Sequence, residues 1–412
     1  MNDRCDPIVG VLRLARRDML RLGATAALLG GAPISLMASP ARDSTIWNFG
    51  AAPVTWDAFE LVTGDTMVAA ARVNGREARG ILDTGSGASI LSTALAQSAR
   101  LERREARTIS GFNGKTEVAV IHEVEVVLGG ERRVLPYAIV SDLSTVSAAL
   151  GRSIDLVLGA DLFQDRCLAI DFSRRRFALS ATGSFIPDRS WSSLKITHGS
   201  RRELIVQASL HGLKSVPLIV DFGNANALML SAAYIRDHAL LAGRRSSSVA
   251  LGGIEGLRTA SLFTLDSLDL GDVHVPSVPT VGMSNWQPTS AAGAIGLPAL
   301  AQFDTILDVD NGRLWLRLLP ADQRVPMLKD RSGLGIAADT DSLRIVFVSP
   351  ASPAARDRWK VGEKIVRING VAIDPSYTVH SLWRWRFDRA GATYMLTLSS
   401  GERRRLRLAD YY

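Results

Sequence analysis

Residues 81–91 read Ile81-Leu82-Asp83-Thr84-Gly85-Ser86-Gly87-Ala88-Ser89-Ile90-Leu91, an Asp-x-Gly turn set between two apolar runs. A second stretch, Ile219-Val220-Asp221-Phe222-Gly223-Asn224-Ala225-Asn226-Ala227-Leu228-Met229-Leu230, repeats the pattern, and Asp221 follows Asp83 by 138 positions. Two carboxylates carried on matched turns of a duplicated unit can meet face to face. Such a pair cannot ionise freely, because each charge opposes the other.

The repetition extends outward from these turns. Upstream of the first, Met67-Val68-Ala69-Ala70-Ala71-Arg72-Val73 leads into Asn74-Gly75, which reads as a strand and a tight hairpin turn. Upstream of the second, Leu204-Ile205-Val206-Gln207-Ala208-Ser209-Leu210 leads into His211-Gly212 in the same way. Downstream, Ser92 and Ser231 each open a short helical segment, since a serine hydroxyl satisfies a free N–H at a helix start. Glycine-rich, strand-forming segments follow at residues 109–116 and 251–256. Each copy then closes with an apolar pair and a glycine, Val157-Leu158-Gly159 and Ala294-Ile295-Gly296, and with an apolar run ending in Asp171 or Asp308. Both landmarks recur after 137 positions. Short alternating apolar runs broken by Gly, Asn and Asp indicate mainly β-structure. The expected architecture is two β-barrel-like lobes with a cleft between them.

Composition narrows the class. With 47% apolar and 22% charged residues over 412 positions, the chain has the balance of a soluble globular protein of two or three domains. The net charge of +7 is uneven, and residues 333–412 carry thirteen Lys and Arg against eight Asp and Glu. That basic end suits acidic peptides or an anionic membrane surface, or is a solvated arginine-rich face. No nucleic-acid-binding motif accompanies it, so nucleic acid is not expected as a partner. Of two cysteines, Cys5 falls in the N-terminal segment and Cys167 in an apolar run, which predicts no internal disulfide. Arg16-Arg17 precedes a charge-free, Ala- and Gly-rich stretch at residues 22–38, and then Ala38-Ser39-Pro40-Ala41. This resembles a twin-arginine export signal over residues 1–41, and implies a periplasmic or other extracytoplasmic location. The chain would be membrane-anchored if the segment is not cleaved.

On Asp83-Thr84-Gly85-Ser86, the segment 109–116 and Val157-Leu158-Gly159, the chain resembles the retropepsin-like aspartyl proteases, and by its duplication the two-lobed pepsin-like ones. The resemblance implies lobes at residues 55–187 and 188–320. It implies catalytic roles for Asp83 and Asp221, and support of the active-site loops by Thr84, Gly85, Ser86, Gly223, Gly159 and Gly296. It implies a substrate-covering flap at Gly111, Phe112, Asn113 and Gly114. One carboxyl would activate a water and the other polarise the peptide carbonyl, without metal or other cofactor. Phe222 departs from the pattern, where the family has a hydroxyl residue that braces the opposite loop. Asn224 replaces a small residue beside it. These departures motivate an alternative, a catalytically impaired peptide-binding pseudoprotease, and a further one in which two molecules pair their Asp83 side chains.

Residues 333–412 resemble a bacterial PDZ domain, a small α+β module, through Gly333-Leu334-Gly335-Ile336, Ser352-Pro353-Ala354-Ala355 and Ile368-Asn369-Gly370. The resemblance implies a loop at Gly333, Leu334, Gly335 and Ile336 whose N–H groups receive a peptide or protein C-terminus. Residues 320–333 read as the linker. Other chemistries find little support. The six histidines show no metal-ligand spacing, and Ser86 and Ser89 have no histidine partner in the pattern. Asp171 and Asp308 read as turn residues, Asp161 as a cap or support.

Overall fold

The computed structural model describes residues 46–412 apart from residues 53, 102–104, 112–113, 201, 254–255, 285 and 287–289. The expected export segment at 1–41 lies outside the described residues. The described chain is mainly β. Its helices are short, and none is long and apolar enough to cross a membrane.

Each half begins with the hairpin that its sequence prescribes. Asn74 and Gly75 both adopt positive φ, +46° and +77°, as do His211 and Gly212 at +45° and +85°. Two consecutive left-handed residues match the right-handed twist of the flanking strands, which is why Asn-Gly suits this turn. The return strands Arg76–Leu82 and Leu213–Asp221 deliver the two aspartates. Each strand is held from behind by a parallel partner, Leu156–Leu158 in the first half and Gly293–Gly296 in the second. Chain leaving the aspartate turns forms Ile90–Ser92 and Leu228–Ser231, and both insert between two neighbours of opposite direction. The helices Thr93–Ser98 and Ala232–Asp237 start as expected, Ser92 Oγ accepting from Leu95 N and Ser231 Oγ from Tyr234 N.

A long hairpin follows in each half: Glu105–Gly111 with Gly114–Leu128, and Ser246–Gly253 with Gly256–Leu270. The halves join through a shared sheet. Strand Arg166–Asp171 pairs antiparallel with Arg176–Ala181 of its own half and with Phe303–Asp308 of the other. One thirteen-stranded sheet therefore contains the first half together with strands Ser192–Lys195, Phe303–Asp308 and Arg313–Leu318 of the second, and an eight-stranded sheet holds the remainder of the second.

One hydrophobic cluster spans the seam, joining Leu82, Phe163 and Phe172 to Phe222, Phe303 and Leu307. Burying each phenyl ring stabilises the assembly by about 1.5–3 kcal/mol. Asp171 and Asp308 fix turns at the edge of the seam. Asp171 accepts from Ser173, Arg174 and Arg176, and Asp308 from Thr182 Oγ1 and Gly183 N. Cys167 is buried in the same sheet with a free thiol.

A six-stranded sheet from Leu334 onward makes a separate core around Leu343, Ile365, Trp383 and Trp385. It packs with the rest of residues 44–412 as one compact unit. Thr378 Oγ1 reaches Leu150 O at 3.1 Å in the first half, and Ser247 Oγ reaches Pro350 O at 2.6 Å from the second.

Candidate active site

Asp83 and Asp221 meet at the seam, with their carboxyls within interacting reach of one another. Backbone geometry brings them there. Asp83 N donates to Leu158 O at 2.9 Å, and Asp221 pairs with Gly296 in the parallel ladder. The turn N–H groups then converge on the carboxyls. Gly85 N and Ser86 N donate to Asp83 Oδ1 at 3.0 Å each, and Gly223 N donates to Asp221 Oδ1 at 3.0 Å.

Gly85 and Gly223 make the approach possible. A Cβ on Gly85 would lie 2.4 Å from Asp221 Cγ, and one on Gly223 would lie 2.3 Å from Asp83 Cγ. Each aspartate thus rests on the glycine of the opposite turn. Gly159 and Gly296 stand behind the turns for the same steric reason. A Cβ there would lie 2.5 Å from Ala88 C and 1.9 Å from Asn226 O, respectively.

Thr84 ties the turns together. It is 1% exposed, its Oγ1 donates to Val220 O at 2.8 Å, and the same oxygen accepts from Phe222 N at 3.1 Å. Phe222 offers no reciprocal hydroxyl. Its ring is fully buried, 6.3 Å from Phe172 and nearly parallel to it, with Phe59 edge-on to Phe172 at 5.7 Å. The second turn is therefore anchored by a side chain planted among aromatics of the first half. A net hydrogen bond contributes about 0.5–1.5 kcal/mol, and burial of a phenyl about 1.5–3 kcal/mol, so the exchange need not weaken the seam.

The remaining positions differ between the copies. Ser86 Oγ donates to Ala88 O at 2.7 Å, while its counterpart Asn224 accepts at Oδ1 from Asn226 N and Nδ2 at 3.0 Å each. Their carbonyls do the same work, accepting from Ala160 N at 2.8 Å and Leu297 N at 2.9 Å. Ser89 was singled out in the sequence only as a serine without a histidine partner. In the structure Ser89 N and Oγ donate to Asp161 at 2.9 and 2.7 Å, and Ser89 Oγ accepts from Gly159 N at 3.1 Å. The second copy has Ala227 and Pro298 at these positions, so the brace is unique to the first.

Burial dominates the electrostatics of the pair. Burial raises the pKa of Asp83, while the Ser86 N–H pulls it back. Burial raises that of Asp221 as well, and the charge of Asp83 adds to it. Burial and mutual repulsion together favour one proton held between the two carboxyls. A buried pair with one proton can accept a proton from water on one oxygen and offer one to a carbonyl from the other.

Of the expected flap residues, Gly111 and Gly114 face each other at the closing pair of the first long hairpin. Phe112 and Asn113 lie outside the described residues. Far from the dyad in sequence, residues 333–336 open the end strand Leu334–Ala338 of the C-terminal sheet. Asp330 Oδ1 accepts from Ser332 N at 2.8 Å and Gly333 N at 2.7 Å, and Leu334 N donates to Ser332 Oγ at 3.0 Å. Three N–H groups entering the expected carboxylate loop are thus bound by the chain's own side chains, while Gly335 and Ile336 lie in the strand. Among the described residues no group of three or more His, Cys, Asp or Glu is placed to hold a metal ion.

Residues 69–162 match the aspartyl protease family model. The matched span holds the Asp83 turn, the first long hairpin, Gly159 and Asp161, and stops before the second half. No curated protein matches the chain. The match supports an aspartic protease, with peptides or proteins as the substrate class.

Proposed function

We propose that the chain is an aspartic endopeptidase that hydrolyses peptide bonds through a water activated between Asp83 and Asp221. The observation that carries this reading is the convergence of two buried carboxyls at the seam, each resting on the glycine of the opposite turn, with both pKa values raised by burial. The ionised carboxyl takes a proton from the attacking water. The protonated one donates to the scissile carbonyl and stabilises the oxyanion as it forms. The amide N–H groups of Gly85 and Ser86 hold Asp83 in place through the cycle.

In this reading the C-terminal domain is of PDZ type and takes peptide or protein C-termini along the end strand Leu334–Ala338. A bound carboxylate would have to displace Ser332 Oγ from Leu334 N. The protein works outside the cytoplasm, exported on residues 1–41. Exposed Arg403, Arg405 and Arg407 share a sheet face with Arg367, which suits an anionic membrane surface. Co-sedimentation with anionic but not zwitterionic vesicles, lost when these arginines become glutamine, tests that contact.

A second reading, the peptide-binding pseudoprotease, draws on Phe222. Both readings are separated by assaying cleavage of unfolded protein and of fluorogenic peptides from acid to neutral pH. The endopeptidase reading expects cleavage by the wild type and its loss in Asp83→Asn and in Asp221→Asn. Peptide binding with no cleavage by the wild type selects the pseudoprotease. Activity that survives Asp221→Asn and rises with the square of concentration selects the paired-Asp83 dimer.

A further inference from the structure

Beyond strand Arg403–Arg407 of the C-terminal sheet, two aromatic residues are buried against the second half of the protein. Tyr411 and Tyr412 are each 5% exposed and pack edge to face, 4.9 Å between centroids. They lie on the second long hairpin and its neighbouring strand, against Val249, Leu251, Ala260, Leu262, Val281 and Met283. Polar contacts lock the tail in place. Tyr412 Oη accepts from Asp330 N at 3.1 Å, and Arg331 pairs with Asp410 at 2.7 Å. Arg245, at the start of that hairpin, donates to Asp410 O at 3.3 Å. Lys329 sits 4.7 Å over the Tyr412 ring and 3.2 Å from Thr264 Oγ1 of the hairpin.

The duplicated hairpin of the first half supplies the control. Its closing pair, Gly111 with Gly114, corresponds to Gly253 with Gly256, 142 positions later. In that alignment Val249, which pairs with Ala260, corresponds to Arg107, which pairs with Val118. Arg107 is half exposed and carries Glu105 and the Tyr137 ring as neighbours. At this position the first hairpin carries a half-exposed charge where the second carries an apolar side chain beneath the tyrosines.

We propose that Tyr411 and Tyr412 are positioning residues for the peptidase site, bracing the second hairpin so that the C-terminal domain fixes one wall of the substrate cleft. This rests on the endopeptidase reading for its catalytic consequence and on packing alone for the brace.

The experiment compares the full-length chain with Tyr411→Ala/Tyr412→Ala and Tyr411→Phe/Tyr412→Phe. Hydrogen exchange is read over residues 246–270 and 105–128, and kcat and KM on an extended peptide. The double alanine variant is expected to speed exchange in residues 246–270 by about tenfold or more, leaving 105–128 unchanged. It is expected to raise KM severalfold with kcat within about twofold. The double phenylalanine variant, which keeps the packing, is expected to restore KM. Unchanged exchange in 246–270, or an equal rise throughout residues 55–412, overturns the brace. Faster exchange with KM unaltered overturns the link to the cleft. If the wild type cuts nothing, the endopeptidase reading fails and the exchange data still decide the brace.

Discussion

At the first aspartate turn the next residue is Thr84, whose hydroxyl donates to one backbone group of the opposite turn and accepts from another. At the second it is Phe222, whose ring reaches across the same seam and stacks on Phe172. A two-fold arrangement would use two hydroxyls for this purpose. Here one hydroxyl serves both of its bonding capacities, and an aromatic ring replaces the other. A duplicated turn can thus change its means of attachment while keeping its carboxylate in register. The cradle beneath the carboxyls, Gly85 and Gly223, is the part that stays the same.

The sharpest break between the turns would come from the carboxyls themselves. Asp83→Asn and Asp221→Asn are each expected to lower kcat by about 10²–10⁴-fold, the range of general acid–base contributions, with peptide binding retained. A loss confined to Asp83→Asn would show that the second turn has no chemical role. Next come the glycines. Gly85→Ala or Gly223→Ala drives a methyl into the opposing carboxyl and should lower kcat by about 10²-fold, as a displacement of about 1 Å does. Circular dichroism checks that the variants remain folded.

The two attachments can then be compared by denaturant unfolding. Phe222→Ala is expected to destabilise by about 3–5 kcal/mol because it opens a cavity beside Phe172. Phe222→Thr should also lose stability, since a hydroxyl does not fill that space. A Phe222→Thr protein as stable as the wild type would mean that the ring contributes little. Thr84→Val leaves Val220 O and Phe222 N without their partner, a change of about 1–3 kcal/mol.

The pH dependence gives the smallest and most specific signal. Both carboxyls have folded-state pKa values above the ordinary carboxylate value, chiefly through burial. Their contribution to stability is therefore full below about pH 4 and declines as pH rises through the folded values. Asp221→Asn should flatten that decline, because Asn cannot ionise. Activity should fall on the acid side as the pair gains a second proton, and on the alkaline side as it loses its last.

Much of this arrangement is legible in the residues. Asp-Thr-Gly between apolar runs fixes a strand, a tight turn and a carboxylate, and its repetition after 138 positions fixes two of them. Asn74-Gly75, Ser92 and Ser231 announce local structures through local chemistry, and the structure contains each of them. Phe222 was readable only as a missing hydroxyl. The stacking on Phe172 depends on how two distant segments pack, which no local periodicity encodes. The same holds for Ser89 with Asp161, 72 residues apart, whose partnership has no counterpart in the second copy to draw attention to it. Asp330 reads as a linker charge, yet it binds the N–H groups at the entrance to the expected carboxylate loop. The tail at Tyr411 and Tyr412 carries no motif. Only the apolar substitution of Val249 for Arg107, seen by aligning the two hairpins, hints that something covers it.

The most direct test of unequal turns forming one shared-proton pair is a carboxyl titration of ¹³C-aspartate-labelled protein, assigned through Asp83→Asn and Asp221→Asn. Two coupled steps are expected, with the pair holding a single proton between them, and a clear fall in the Asp221 midpoint once Asp83 is replaced. Independent titrations of both groups near the ordinary carboxylate range, each indifferent to loss of the other, would contradict it.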